Sequence, residues 1–305
     1  MSPRKIAVIC LVISSILWAS SGTVAKTLFS AIDPIPLAML RLGVATAILV
    51  PIFLARKHPP IGTLIRDTIP VAIGMAGNLL FFFLGVSRTT ANAAAIIYTI
   101  TPILTFFLAK ITIQEHTDPK KLWGIVIGLI GVIIILLLPV INHKQTINGD
   151  VIGNLLIVCA MLFWTYYIVG SRKLVTQKHY EPLTITTLAV SFSFLLFATL
   201  TLVTSHRPIL PAAITGIHPV LILYFGAVVT VLTFGLHQWA IKHSTATTAS
   251  LTSYLQPVFA FTYNAVFIGE MLTPEFLLGS ILVIAGTMFA TGGDAISLVR
   301  RHRKK

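Results

Sequence analysis

Charge is what this sequence has least of. Only 10% of its 305 residues are Asp, Glu, Lys or Arg, against about a quarter in an ordinary soluble domain. With 56% of residues hydrophobic, the apolar surplus exceeds what one water-soluble core can hide, so the solvent it implies is lipid. Acids are scarcest, nine in all, and none falls at the middle of an apolar run. That excludes the buried carboxylate relay of a proton pump. The two cysteines, Cys10 and Cys159, both lie inside apolar stretches and read as small packing residues, not as a disulfide framework. HExxH, a P-loop, paired intramembrane aspartates and a recognisable Ser–His spacing are all missing. The expectation is a protein that is not an enzyme and uses no cofactor or metal.

Apolar runs are abundant. A helix needs roughly 20 apolar residues to cross the ~30 Å hydrocarbon core. Ten runs qualify, at about 6–27, 34–55, 68–87, 90–112, 122–141, 151–171, 183–204, 219–241, 247–268 and 276–298. The gaps are too short for a soluble domain, and the runs are too long and too uniformly apolar for β-barrel strands. The predicted class is an all-α integral membrane protein of ten transmembrane helices.

The net charge of +13 does not point to nucleic acid, because the basic residues alternate between gaps. Of the 22 lysines and arginines, Arg41 lies within a run, 17 fall in one set of alternate gaps, and only Lys26, Arg88, Lys144 and Arg207 fall in the other. By the positive-inside rule both termini are cytoplasmic, and the basic tail, residues 299–305, lies against anionic headgroups. The start of the chain resembles a signal peptide, with Arg4-Lys5, an apolar run and Ala19-Ser20-Ser21. It is read as a first helix because it has a counterpart later in the chain.

The chain repeats itself. Pro102, Glu115, Pro119, Gly124 and Gly131 correspond to Pro257, Glu270, Pro274, Gly279 and Gly286 at one ungapped offset of 155 residues. Trp18 matches Trp164, and Asp33-Pro34 matches Glu181-Pro182, at a slightly shorter offset. Five helices per unit is an odd number, so the second unit, 151–298, enters the membrane from the side opposite to the first, 6–141. Such inverted repeats are a common architecture of secondary transport.

Particular residues carry the resemblance to a known family. These are Leu17-Trp18-Ala19-Ser20-Ser21 with Lys26 and Arg41, Ser244-Thr245-Ala246 through Tyr254-Leu255-Gln256-Pro257, and Gly269-Glu270-Met271-Leu272 with Gly279 to Gly286. A looser copy runs from Thr89-Thr90-Ala91-Asn92-Ala93 through Thr101-Pro102-Ile103 to Gln114-Glu115. The pattern resembles the EamA-like family of the drug/metabolite transporter superfamily over nearly the whole chain. Ala19 and Gln114 stand where that family often has glycine. The resemblance implies two inverted five-helix EamA-like repeats in a bacterial inner membrane. It also implies a carrier of small metabolites, with export of amino acids or related compounds as the expected class. The alternatives are an intramembrane enzyme, or a receptor or assembly protein without transport.

Candidate cavity residues are the polar and aromatic side chains at midplane depth. They are Trp18, Ser21, Asn78, Trp164, Tyr167 and Gln256, joined by His237, about one turn from the cytoplasmic end of the eighth run, and by the Tyr98 and Ser253 carbonyls that Pro102 and Pro257 leave unpaired. Each has a plainer reading. The tryptophans also suit packing, Asn78 and Gln256 suit bonds between helices, His237 suits a buried hydrogen bond, and the prolines suit kinks satisfied by a neighbouring helix. Arg41, about 10 Å deep by helical rise, snorkels, pairs with an acid or meets substrate. Glu115 and Glu270 sit at helix ends, where loop pairing competes with ion coupling. Gly124, Gly128 and Gly131 form a close-packing face; it is compatible with a homo-oligomer and does not require one.

Overall fold

A computed structural model describes residues 2–89, 91–115, 119–143, 150–204, 215–268 and 274–302. The described residues form fourteen α-helices and one π-helical segment. Helices α1 (Pro3–Ala19) and α2 (Ser21–Phe29) form one nearly continuous column. It is interrupted at Ser20, whose hydroxyl turns back to the Leu17 carbonyl at 2.7 Å. Next come α3 (Pro34–Leu54) and α4 (Ile61–Val86), then the short pair α5 (Ala91–Tyr98) and α6 (Thr101–Thr112), then α7 (Pro119–His143). The second half follows the same plan with α8 (Val151–Gln177), α9 (Pro182–Thr204), α10 (His218–Gly226), the π segment Ala227–Leu232, α11 (Thr233–His243), α12 (Ala246–Ser250), α13 (Thr252–Ile268) and α14 (Pro274–His302).

Six stretches are long and apolar enough to cross a membrane, with mean hydropathy from 1.9 to 2.2. They are Pro3–Phe29, Pro34–Leu54, Ile61–Val86, Val151–Gln177, Pro182–Thr204 and His218–His243. Three further apolar stretches, Thr101–Thr112, Lys121–Ile134 and Leu277–Thr291, are shorter. The outward faces are greasy: Ile61, Ile65, Ile69 and Ile73 form an exposed stripe at helical spacing on α4. In water such a surface would be an association hazard; in lipid it is the solvated face.

The kink expected at Pro102 is a full interruption. Residues 99–100 leave the helix, and Pro102 stands in the first turn of α6, where its missing N–H costs nothing. In the second half the break falls earlier, at Leu251, and Pro257 stays inside α13.

The packing has an internal two-fold pattern. α4 lies on α8 as α1 lies on α11; α4 meets α9 as α3 meets α10; α1 meets α13 as α8 meets α5 and α6. α3 on α9 and α7 on α14 pair each element with its own counterpart. The glycines fix the sense of the last pair. A Cβ on Gly124 would lie 2.6 Å from the Gly286 carbonyl oxygen, and one on Gly131 would lie 2.6 Å from that of Gly279. The repeat mates are Gly124 with Gly279 and Gly131 with Gly286, so α7 and α14 cross antiparallel and each glycine packs on the other's mate. This glycine face is used within the chain.

Candidate functional site

Between the two halves lies a cavity of about 190 Å3. Its wall takes Trp18, Ser21 and Gly22 from the α1–α2 column, Arg41 from α3, and Asn78, Leu79, Phe82 and Val86 from α4. Tyr98 of α5, Trp164 of α8, Phe234 of α11, and Ser253, Gln256 and Pro257 of α13 complete most of it. Neighbouring columns alternate in direction, so the wall runs from mid-bundle, at Trp18, Trp164 and Phe234, toward the end where α2 stops and α5 begins, at Gly22, Val86 and Ala94. The wall is mainly apolar with a few convergent polar groups, the usual make-up of a small-molecule site.

Two of the candidate residues stand behind this wall. Tyr167 and His237 are fully buried and form, with Trp18, Trp164 and Phe234, an aromatic plug. Trp18 meets Trp164 edge-on at 5.4 Å between ring centres, and Phe234 at 5.3 Å. His237 lies 5.0 Å from Trp18 and 5.3 Å from Trp164, and Tyr167 stacks on Trp164 at 5.3 Å. The repeat-matched tryptophans are thus in direct contact, one from each half. His237 Nε2 lies 3.3 Å from the Ala249 carbonyl. Asn78 bridges helices, donating to the Tyr98 hydroxyl at 2.5 Å and to the Ala160 carbonyl at 2.9 Å. Pro102 is buried and lies off the wall.

Beyond the plug the bundle is closed by polar bonds. Gln238 donates to the Tyr167 hydroxyl at 2.6 Å and to the Ser171 hydroxyl at 2.8 Å. One turn further, Arg172 Nε donates to Glu115 at 3.1 Å, and its Nη1 donates to the Ile241 and Lys242 carbonyls at 2.7 and 3.0 Å. Glu115 also accepts from the Ala246 backbone N–H at 3.1 Å. Its carboxylate therefore ties the end of α6 to α8 and to the start of α12. Side-chain exposure is 7% for Glu115 and 16% for Arg172, so this ion pair is shielded from water. Lys121, counted from sequence among the loop charges, is fully buried and donates to Thr245 Oγ1 at 2.6 Å. Glu270 lies outside the described residues, as do the side chains of Lys26 and of the basic tail.

Sequence reasoning did not find the partner of Arg41. Its Nε donates to Thr230 Oγ1 at 2.6 Å, in the π segment, and its guanidinium lies 4.3 Å from the centre of the Phe225 ring. Gly226 makes this approach feasible, since a Cβ there would lie 2.5 Å from Val44 Cβ. Nothing in Ala227–Leu232 announces a π turn, although such turns recur at functional sites.

The sequence profile of the EamA-like transporter family matches residues 5–137 and 151–292. A protein of Archaeoglobus fulgidus named as an uncharacterized transporter is 25% identical over 289 residues, covering 92% of this chain and 96% of the relative. The uncharacterized transporter YyaM of Bacillus subtilis is 26% identical over 286 residues, 91% of each. The S-adenosylmethionine/S-adenosylhomocysteine transporter of Chlamydia trachomatis is 21% identical over 288 residues, 92% of this chain and 87% of its own length. A crystal structure superposes with a TM-score of 0.75 at 18% identity, covering 95% of this chain and 99% of the other, and so shares the fold.

Proposed function

The chain belongs to the EamA-like transporter family, and on that premise we propose that it is a secondary transporter that moves small metabolites by alternating access. The proposed topology is ten crossings in two inverted five-helix repeats. α1–α2, α5–α6, α10–π–α11 and α12–α13 each count as one interrupted crossing. The antiparallel, mate-exchanged packing of α7 on α14 supports the inversion.

The observation that carries the reading is the one-sidedness of the cavity. Both repeats contribute to its wall, yet it lies toward one end only, while the plug and the Glu115–Arg172 pair seal the other. Two similar units that exchange conformations would open the sealed end and close the open one. The sealed end carries Arg172, Lys178 and Lys242, which supports a cytoplasmic placement for it and for both termini, in a bacterial inner membrane. The proposed direction is export, and the proposed class is amino acids or related compounds. A relative named for carrying S-adenosylmethionine and S-adenosylhomocysteine, both amino-acid derivatives, supports that class. The cavity, smaller than the roughly 300–1,000 Å3 of sites for drug-sized ligands, favours the smaller members.

The test is release of labelled metabolites from preloaded proteoliposomes, compared with protein-free vesicles. Faster release of at least one amino acid or derivative is expected. No flux for any compound of a broad metabolite panel would overturn the proposal.

A further inference from the structure

Arg41 is the one charged residue among the described groups that line the cavity. It is 4% exposed. A guanidinium has five N–H donors. Here one reaches Thr230 Oγ1 at 2.6 Å and another reaches the Val229 carbonyl at 3.4 Å. Both acceptors are neutral, and so is the Phe225 ring beneath. The described carboxylates that form ion pairs are spent elsewhere: Asp67 on Arg66 and Lys178, Glu115 on Arg172, Asp150 on Arg88 and Glu181 on Lys242. A fixed cation in a low-dielectric interior is costly until an anion meets it. Snorkelling does not relieve this one, because its head is tied inward. Thr230 spends its only hydroxyl hydrogen on the Phe225 carbonyl at 2.9 Å, which leaves the oxygen turned to accept from Arg41.

Building on the transport reading above, we infer that Arg41 anchors the substrate through a carboxylate, and that the cargo is a small molecule with a single carboxylate on an apolar body. The planar fork of a guanidinium matches the two oxygens of a carboxylate. A phosphate monoester carries about −1.5 to −2, and no second cation lines the cavity among the described residues. Trp18, Leu79, Phe82, Trp164 and Phe234 offer the apolar surface for the remainder of the molecule.

Matched acids and amides separate the charge from the shape. The probes are 3-phenylpropanoate, 4-methylpentanoate and L-phenylalanine against their primary amides. They are titrated onto the purified full chain by tryptophan fluorescence, with thermal stability as a second readout. At least one acid binds roughly tenfold or more tightly than its amide. Arg41→Gln brings that ratio close to one, whereas Arg41→Lys weakens binding but keeps the preference for the acid. Melting temperatures of both variants report folding, and Arg41→Lys preserves the test if Arg41→Gln does not fold. Equal binding of acids and amides, no binding of any acid, or a preserved preference in folded Arg41→Gln overturns the inference. In proteoliposomes, flux of the amides without the acids overturns it while leaving the carrier intact. Absence of all flux removes the carrier reading as well.

Discussion

Neutralising Glu115 should loosen the sealed end of the bundle. Glu115→Gln keeps an oxygen to accept from the Ala246 N–H but removes the charge that holds Arg172 Nε at 3.1 Å. With side-chain exposures of 7% and 16%, solvent screens little of the attraction. A hydrogen bond to a charged group contributes about 2 kcal/mol, so the open population should rise roughly thirtyfold. The assay places a cysteine at Thr247, which is fully buried behind the plug, in a chain carrying Cys10→Ala and Cys159→Ala. Labelling by a membrane-impermeant maleimide then reports the opened fraction. The rate should climb by that factor with the melting temperature little changed. Adding Arg172→Gln should raise it by less than Arg172→Gln does alone, since the two changes share the Glu115–Arg172 bond while the Arg172 bonds to the Ile241 and Lys242 carbonyls are lost only with the second. A labelling rate unmoved by Glu115→Gln, or fully additive effects of the two, would refute the reasoning.

Further outcomes follow from the packing and the polar bonds. Gly124→Ala drives a methyl to 2.5 Å from the Ala290 backbone nitrogen and should lower stability by about 1–3 kcal/mol in a detergent melting assay. Gly62→Ala, where a Cβ meets nothing within 4 Å, should leave the melt unchanged. Asn78→Ala removes the donor to Tyr98 and to the Ala160 carbonyl, and should cost about 1–3 kcal/mol and slow flux in proteoliposomes. Thr230→Val strips Arg41 of its nearest partner and should weaken carboxylate binding several-fold, read by the same fluorescence titration, while Thr233→Val should not.

The parts of this architecture that were legible in the sequence are those that periodicity and repetition record. The ungapped offset of 155 residues pairs Gly124 with Gly279 and Gly131 with Gly286, and their packing is the antiparallel crossing of α7 on α14. Trp18 and Trp164, matched by position, meet ring to ring. Depth along each run was enough to gather Ser21, Asn78, Tyr98, Ser253 and Gln256 around one cavity. The illegible parts are long-range. Glu115 finds its backbone partner 131 residues away, and Arg41 finds Thr230 at a distance of 189. Lys121 reads as a loop charge because charge normally marks a loop, yet it lies buried on Thr245. The interruption before Pro102 and the one at Leu251 differ because proline forbids one N–H and does not dictate where the helix yields. Local pattern carries depth and face; it does not carry which side chain across the bundle answers a polar group.

The sealed end is a balance of opposed terms. In and around the plug, His237 Nδ1, Gln238 Oε1 and the hydroxyls of Thr101, Thr105 and Thr247 are buried without a hydrogen-bond partner among the described residues. Each such group costs about 1–3 kcal/mol relative to a satisfied one. Against them stand the Glu115–Arg172 pair, the Gln238 bonds and the aromatic stacking, a few contacts of similar individual size. Under the proposed transport cycle, opening this end to water would satisfy the lone groups and break the contacts, and these opposed terms would keep the two states close in energy. The repeats are not equal in this respect. At the offset of 155, Thr247 answers to Asn92, Ser253 to Tyr98 and Gln256 to Thr101, with polar character kept and chemistry changed. One end is therefore closed by different bonds from those that would close the other. A core with every polar group paired would hold one shape; this one keeps polar groups unpaired where the proposed carrier would open.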